Sequence, residues 1–169
     1  MIGRSETLIK WLLYGAATVL VLFFQGALQN LRILGVLPFL YPTLAAVLSM
    51  YEGAFTGTVY SLVLGVVCDL ALPGPIPCLY TLIFPLAGLC AGLIARSWLP
   101  AGFLCALVVS AAAFVLTDGF HCLLLMLSGK GAAGAAWSIA LRETCVTLLF
   151  MPLPWFLFRL IHRKCHLDD

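Results

Sequence analysis

Charge is what this sequence has least of. Asp, Glu, Lys and Arg make up 9 % of its 169 residues, where a soluble domain carries roughly 25 %. That scarcity excludes a soluble protein of any size. The net charge of +2 gives no sign of a nucleic-acid partner. Long polar connections are also missing, so there is no room for a second domain beside the first. Paired cysteine spacing is absent too. Cys68, Cys78, Cys90, Cys105, Cys122, Cys145 and Cys165 are scattered and odd in number, which suits small apolar filler better than a disulfide framework. Cys68 and Cys78 are both expected near the outer face, where they could pair. No phosphate loop, nucleophile elbow or zinc-protease helix occurs.

What is present is apolar. Hydrophobic residues make up 63 % of the chain, and mean hydropathy is +1.12. The pattern predicts an all-α integral membrane protein, a compact bundle of six transmembrane helices in one domain, 1–169. The expected spans are 11–28, 34–50, 53–72, 76–95, 99–127 and 136–161, each about the ~20 residues that cross the hydrocarbon layer. Pro38 and Pro42 interrupt the second, which reads as a short or broken helix. The first is no cleaved signal peptide, because its apolar core is too long and no small-x-small site follows it.

Basic residues orient the bundle. With both ends cytoplasmic, the inside holds Arg4, Lys10, Arg96, Arg159, Arg163 and Lys164, and the outside holds Arg32, Lys130 and Arg142. Six against three favours N-in, C-in. Trp11, Trp98 and Trp155 then fall near the inner interface and Trp137 near the outer one.

Inside the third span, Gly53, Gly57, Ser61, Gly65 and Asp69 stand four apart. Residues at that spacing share one slowly winding helical stripe, so a side-chain-poor groove ends in a carboxylate. Gly88 and Gly92 give the fourth span a second face of this kind. Such stripes serve internal packing or the docking of a partner helix. Glu52, just before the third span, is placed to cap it by meeting the positive end of its dipole, or to meet a basic partner.

Ionisable residues inside hydrocarbon are costly and need partners. Asp69, Asp118, Arg142 and Glu143 are expected at similar depth in the outer leaflet. Arg142 is expected to pair with Asp69 or Asp118; interfacial charges meeting water separately are the alternative. Asp118 and His121 are three apart, with Cys122 adjacent, so a proton relay or a metal site is conceivable, and a local hydrogen-bonded pair is the favoured reading. His162, Cys165 and His166 have ligand-like spacing but lie in a basic tail suited to anionic lipid. Two membrane aspartates also invite an intramembrane aspartyl hydrolase reading. The flanks Val67-Cys68-Asp69-Leu70 and Leu116-Thr117-Asp118-Gly119 lack the polar neighbours of lipoprotein signal peptidase. No cofactor and no metal are expected.

From Pro38 through Tyr51-Glu52-Gly53-Ala54-Phe55 and Gly57, then Gly65 and Asp69, to Pro73-Gly74-Pro75, the chain resembles the bacterial rod shape-determining protein MreD family. Its length, the arginine after the fourth span and the basic C-terminus fit as well. The resemblance implies a non-catalytic scaffold of the cell-wall elongation machinery in the bacterial inner membrane. It implies as partners an MreC-like bitopic protein, a glycosyltransferase–transpeptidase pair and, indirectly, an MreB-type filament. It also implies a fold like the substrate-binding S-components of energy-coupling-factor vitamin transporters. The rival this suggests is substrate capture in an external pocket drawn from Tyr80, Asp118, His121, Trp137 and Arg142.

Overall fold

A computed structural model describes residues 4–28, 35–72, 78–127 and 133–166. Seven helices follow in order: α1 (Arg4–Leu28), α2 (Tyr41–Glu52), α3 (Ala54–Ala71), α4 (Leu79–Ser97), α5 (Phe103–Leu127), α6 (Ala133–Phe150) and α7 (Pro152–His166). Four of them, α1, α3, α4 and α5, are long and apolar enough to cross a membrane, and α6 with α7 adds a fifth crossing as a bent pair. This is a multi-pass membrane protein.

The second expected span, 34–50, is a short helix after a non-helical entry, as Pro38 and Pro42 suggest. Its helix has only 12 residues, about 18 Å of rise against a hydrocarbon layer of ~30 Å. Pro42 lies in its first turn, where a missing N–H costs nothing. Pro38 disfavours helix in the residue before it, and 37–40 are non-helical. Every residue from Pro42 to Met50 is buried, because α3, α4, α5 and α7 all pack on α2. It forms the centre of the bundle.

Backbone this irregular is tolerated at membrane depth only if its polar groups find partners within the protein. Two of its amides do so in side chains: the Leu40 amide donates to Gln25 Oε1 of α1 at 2.9 Å, and the Phe39 amide donates to Thr147 Oγ1 of α6 at 3.0 Å. Thr147 in turn donates to the Glu143 carbonyl at 2.8 Å.

The expected sixth span is also broken. α6 and α7 meet at an angle of 44°. Pro152 and Pro154 lack N–H groups, and a proline ring crowds the carbonyl four residues before it, so the helix restarts after Met151. Met151 at the break and Pro154, Phe158 and Ile161 of α7 then turn inward, and α7 packs against α1 and α2. Tyr14 of α1 meets Phe158 edge-on at 5.5 Å.

The tightest seam joins α3 to α4. The turn at 73–77, the connection 128–135, Arg32 and Lys130 lie wholly or mainly outside the described residues, as do the side chains of Arg4 and His166. All seven cysteines are free thiols, with Cys68 buried and Cys78 exposed.

Candidate functional site

The small-residue stripes are occupied by this chain's own backbone. A Cβ on Gly57 would stand 2.5 Å from Ser49 Cα of α2, and one on Gly65 would stand 2.6 Å from the Tyr80 carbonyl oxygen of α4. On α4, a Cβ at Gly88 would strike the Ser61 hydroxyl, and one at Gly92 would stand 2.5 Å from Ala54 Cα. Ser61 is itself fully buried. The Gly57–Gly65 groove is therefore filled by α2 and α4. Gly53 departs from the stripe. It lies between the helices at φ 85° and ψ 171°, a conformation nearly confined to glycine, and lets the chain reverse from α2 into α3 within one residue.

Asp69 closes this seam. Its carboxylate accepts from the Tyr80 amide (3.1 Å), the Thr81 amide (2.8 Å) and the Thr81 hydroxyl (2.5 Å). These two amides lie in the first turn of α4, where N–H groups lack intrahelical acceptors. An acid there satisfies them and meets the positive end of the helix dipole. The expected pairing with Arg142 is absent among the described contacts, and Arg142 is exposed. The rotation of α6 leaves Arg142 outward and turns the adjacent Glu143 partly inward.

At the opposite end of α3, Glu52 is a hub. Its carboxylate lies 2.7 Å from Lys10 Nζ, accepts from the Tyr14 hydroxyl at 2.8 Å and lies 3.5 Å from His162 Nδ1. No side chain caps the N-terminus of α3. The Tyr51 ring packs over His162 with centroids 4.9 Å apart. Burial alone would raise the Glu52 pKa, but hydrogen bonds from His162, Lys10 and Tyr14 outweigh it and hold the carboxyl at about 2, below the ordinary 4.5. One carboxylate thus ties α1, α2 and α7 together. A second tie joins α1 to α3, where the Tyr60 hydroxyl lies 2.6 Å from Thr18 Oγ1.

The remaining polar candidates gather in a cleft of about 290 Å³ between α4, α5 and α6. Phe39, Tyr80, Thr117, Asp118, His121 and Glu143 contribute to its lining. Thr144 donates to Asp118 Oδ2 at 3.3 Å, and the Tyr80 and His121 rings are 5.9 Å apart. The structure therefore brings Asp118, His121, Glu143 and Tyr80 together. It leaves Trp137 and Arg142 exposed outside them. No group of three metal-ligating side chains occurs among the described residues.

Sequence reasoning missed Gln25, Thr147, Tyr14 and Lys10 as bracing residues. The available signal was a hydrogen-bonding side chain inside an apolar span, which membrane energetics rarely leaves without a role. Comparison with family models, curated proteins and solved structures finds no match.

Proposed function

We propose that this chain is a non-catalytic scaffold of the cell-wall elongation machinery, an MreD-like protein of the bacterial inner membrane with both termini cytoplasmic. Its partners on this reading are an MreC-like bitopic protein, the glycosyltransferase–transpeptidase pair and, indirectly, the MreB-type filament. The observation that carries it is the use made of the polar side chains. Glu52 and Asp69 are each held by several donors and act as braces between helices. Asp69 therefore has both oxygens engaged on α4, and Asp118 bonds to Thr144, so the pair offers no shared proton to a hydrolytic mechanism. On this reading α2 with residues 37–40 is a short crossing and α6–α7 one bent crossing, giving the six that the S-component resemblance implies.

With the glycine stripes filled from within, the docking face lies on an outer surface. α1 is the least enclosed of the four long apolar helices. It presents Leu12, Val19 and Phe23 outward, and a Cβ on Gly15 would meet nothing within 4 Å. A single partner helix fits there.

The test is affinity recovery of the tagged full chain from its native membrane in mild detergent. An MreC-like protein and cell-wall synthases are the expected companions. Gly15→Leu should lose them while the bundle stays folded; retention would move the docking face off α1. The Asp118–His121–Glu143 cleft favours a second reading, small-molecule capture by an S-component-like subunit. Recovery of an ATPase pair with a coupling subunit would establish that reading and overturn the scaffold.

A further inference from the structure

The outer face of α7 is ordered along its axis. While Met151, Pro154, Phe158 and Ile161 turn inward, the opposite face carries Phe156, Arg159, Leu160, Arg163 and Lys164. These five line a groove of about 310 Å³. The apolar members come first: Phe156 is 59 % exposed and Leu160 44 %. The cations follow, with Arg163 about 10 Å beyond Phe156 at the helical rise. The Arg159 guanidinium lies 4.9 Å over the Trp155 ring, which restricts its freedom before any ligand arrives.

No carboxylate faces this groove among the described residues. Glu52, the acid that α7 does approach, lies on the other side of the helix against His162, Lys10 and Tyr14. Three cations with no carboxylate against them among the described residues, next to exposed apolar side chains at the end of a membrane crossing, complement one kind of molecule. It must carry a phosphate at the water boundary and a hydrocarbon chain below it. Arginine forks suit phosphate oxygens, and basic residues at the membrane surface attract anionic lipid.

We propose that the α7 groove is a specific site for one anionic phospholipid. The phosphate sits between Arg159, Arg163 and Lys164, and an acyl chain lies along Phe156 and Leu160. This site is independent of the scaffold reading and stands or falls separately from it.

The test is native mass spectrometry of the full chain in mild detergent, titrated with phosphatidylglycerol or with phosphatidylcholine of the same acyl chains. One phosphatidylglycerol should remain bound per chain, at least tenfold tighter than phosphatidylcholine. Arg159→Gln and Arg163→Gln should each weaken it about fivefold, and together about thirtyfold. Arg96→Gln removes an exposed cation from the same end of the bundle and should change nothing. Equal retention of both lipids would overturn the site. So would an Arg96→Gln loss as large as that of Arg163→Gln, which would mark a diffuse surface charge. Displacement by inorganic phosphate or by an acidic peptide (hexaglutamate) as effective as free lipid would assign the cations to those ligands instead. Thermal melts of the variants, expected within a degree or two of wild type because the replaced side chains are exposed, separate binding loss from misfolding.

Discussion

Replacing Glu52 by Gln should remove a pH-dependent part of the stability of this bundle. The carboxyl is held at about 2 in the folded chain against an ordinary 4.5, a difference equivalent to about 3 kcal/mol. Glu52 is 9 % exposed and Lys10 20 %, so water screens part of the attraction, and about 2 kcal/mol is the working magnitude. The folded value is depressed, so the contribution is complete above pH 4.5 and disappears as pH falls towards 2. By pH 3 more than half should be gone. The assay is thermal unfolding in detergent, followed by helical circular dichroism at pH 7, 5, 4 and 3, for wild type and Glu52→Gln side by side. Other carboxylates titrate in the same range, so the difference between the two curves is what counts. At pH 7 the variant should melt several degrees lower, and at pH 3 the gap should have narrowed to less than half. A gap of equal size at both pH values would mean that shape, rather than charge, supplies the stabilisation. Lys10→Met and Tyr14→Phe should each reproduce part of the loss and should not add fully to Glu52→Gln, because all three act on one carboxylate.

Gly65→Ala forces a methyl group to within 2.6 Å of the Tyr80 carbonyl and should cost about 1–3 kcal/mol, whereas Gly15→Ala, with open space around it, should be neutral or gain up to ~1 kcal/mol; thermal melts of the two check the pair. Gln25→Leu leaves the Leu40 amide without its acceptor and should cost about 1–3 kcal/mol. Hydrogen exchange at that amide should quicken well before global unfolding, and unchanged exchange would remove Gln25 from the bracing of 37–40.

Much of the bundle could be read from the chain because four-residue spacing of small residues has one geometric meaning on a helix. Gly57, Ser61 and Gly65 on α3 and Gly88 and Gly92 on α4 fall where that spacing puts them. The same rule failed at Gly53, where the spacing continues but the backbone does not, since a glycine can equally end a helix. The break at Met151 had a visible signal in Pro152 and Pro154, and apolar continuity outweighed it. The partners of Glu52 were not readable, because Lys10 and His162 reach it only after α1 and α7 have packed on α2. Arg142 was misplaced for a related reason: Ser138, Arg142, Glu143, Thr144 and Thr147 are spread around α6, so the helix carries no periodic mark of its rotation.

The enclosure of α2 bears on how the chain enters a bilayer. A 12-residue segment carrying Pro42, Thr43 and Ser49 is too short for the insertion machinery to accept as a membrane span by hydrophobicity alone. α1, α3, α4 and α5 can each partition independently, but α2 has to be drawn in afterwards by the walls that close around it. Assembly therefore has an order, with the centre of the molecule arriving last. Lesions at Ser49 or its contacts should then trap a chain that is inserted at its edges and hollow in the middle, the kind of species that membrane quality-control proteases remove.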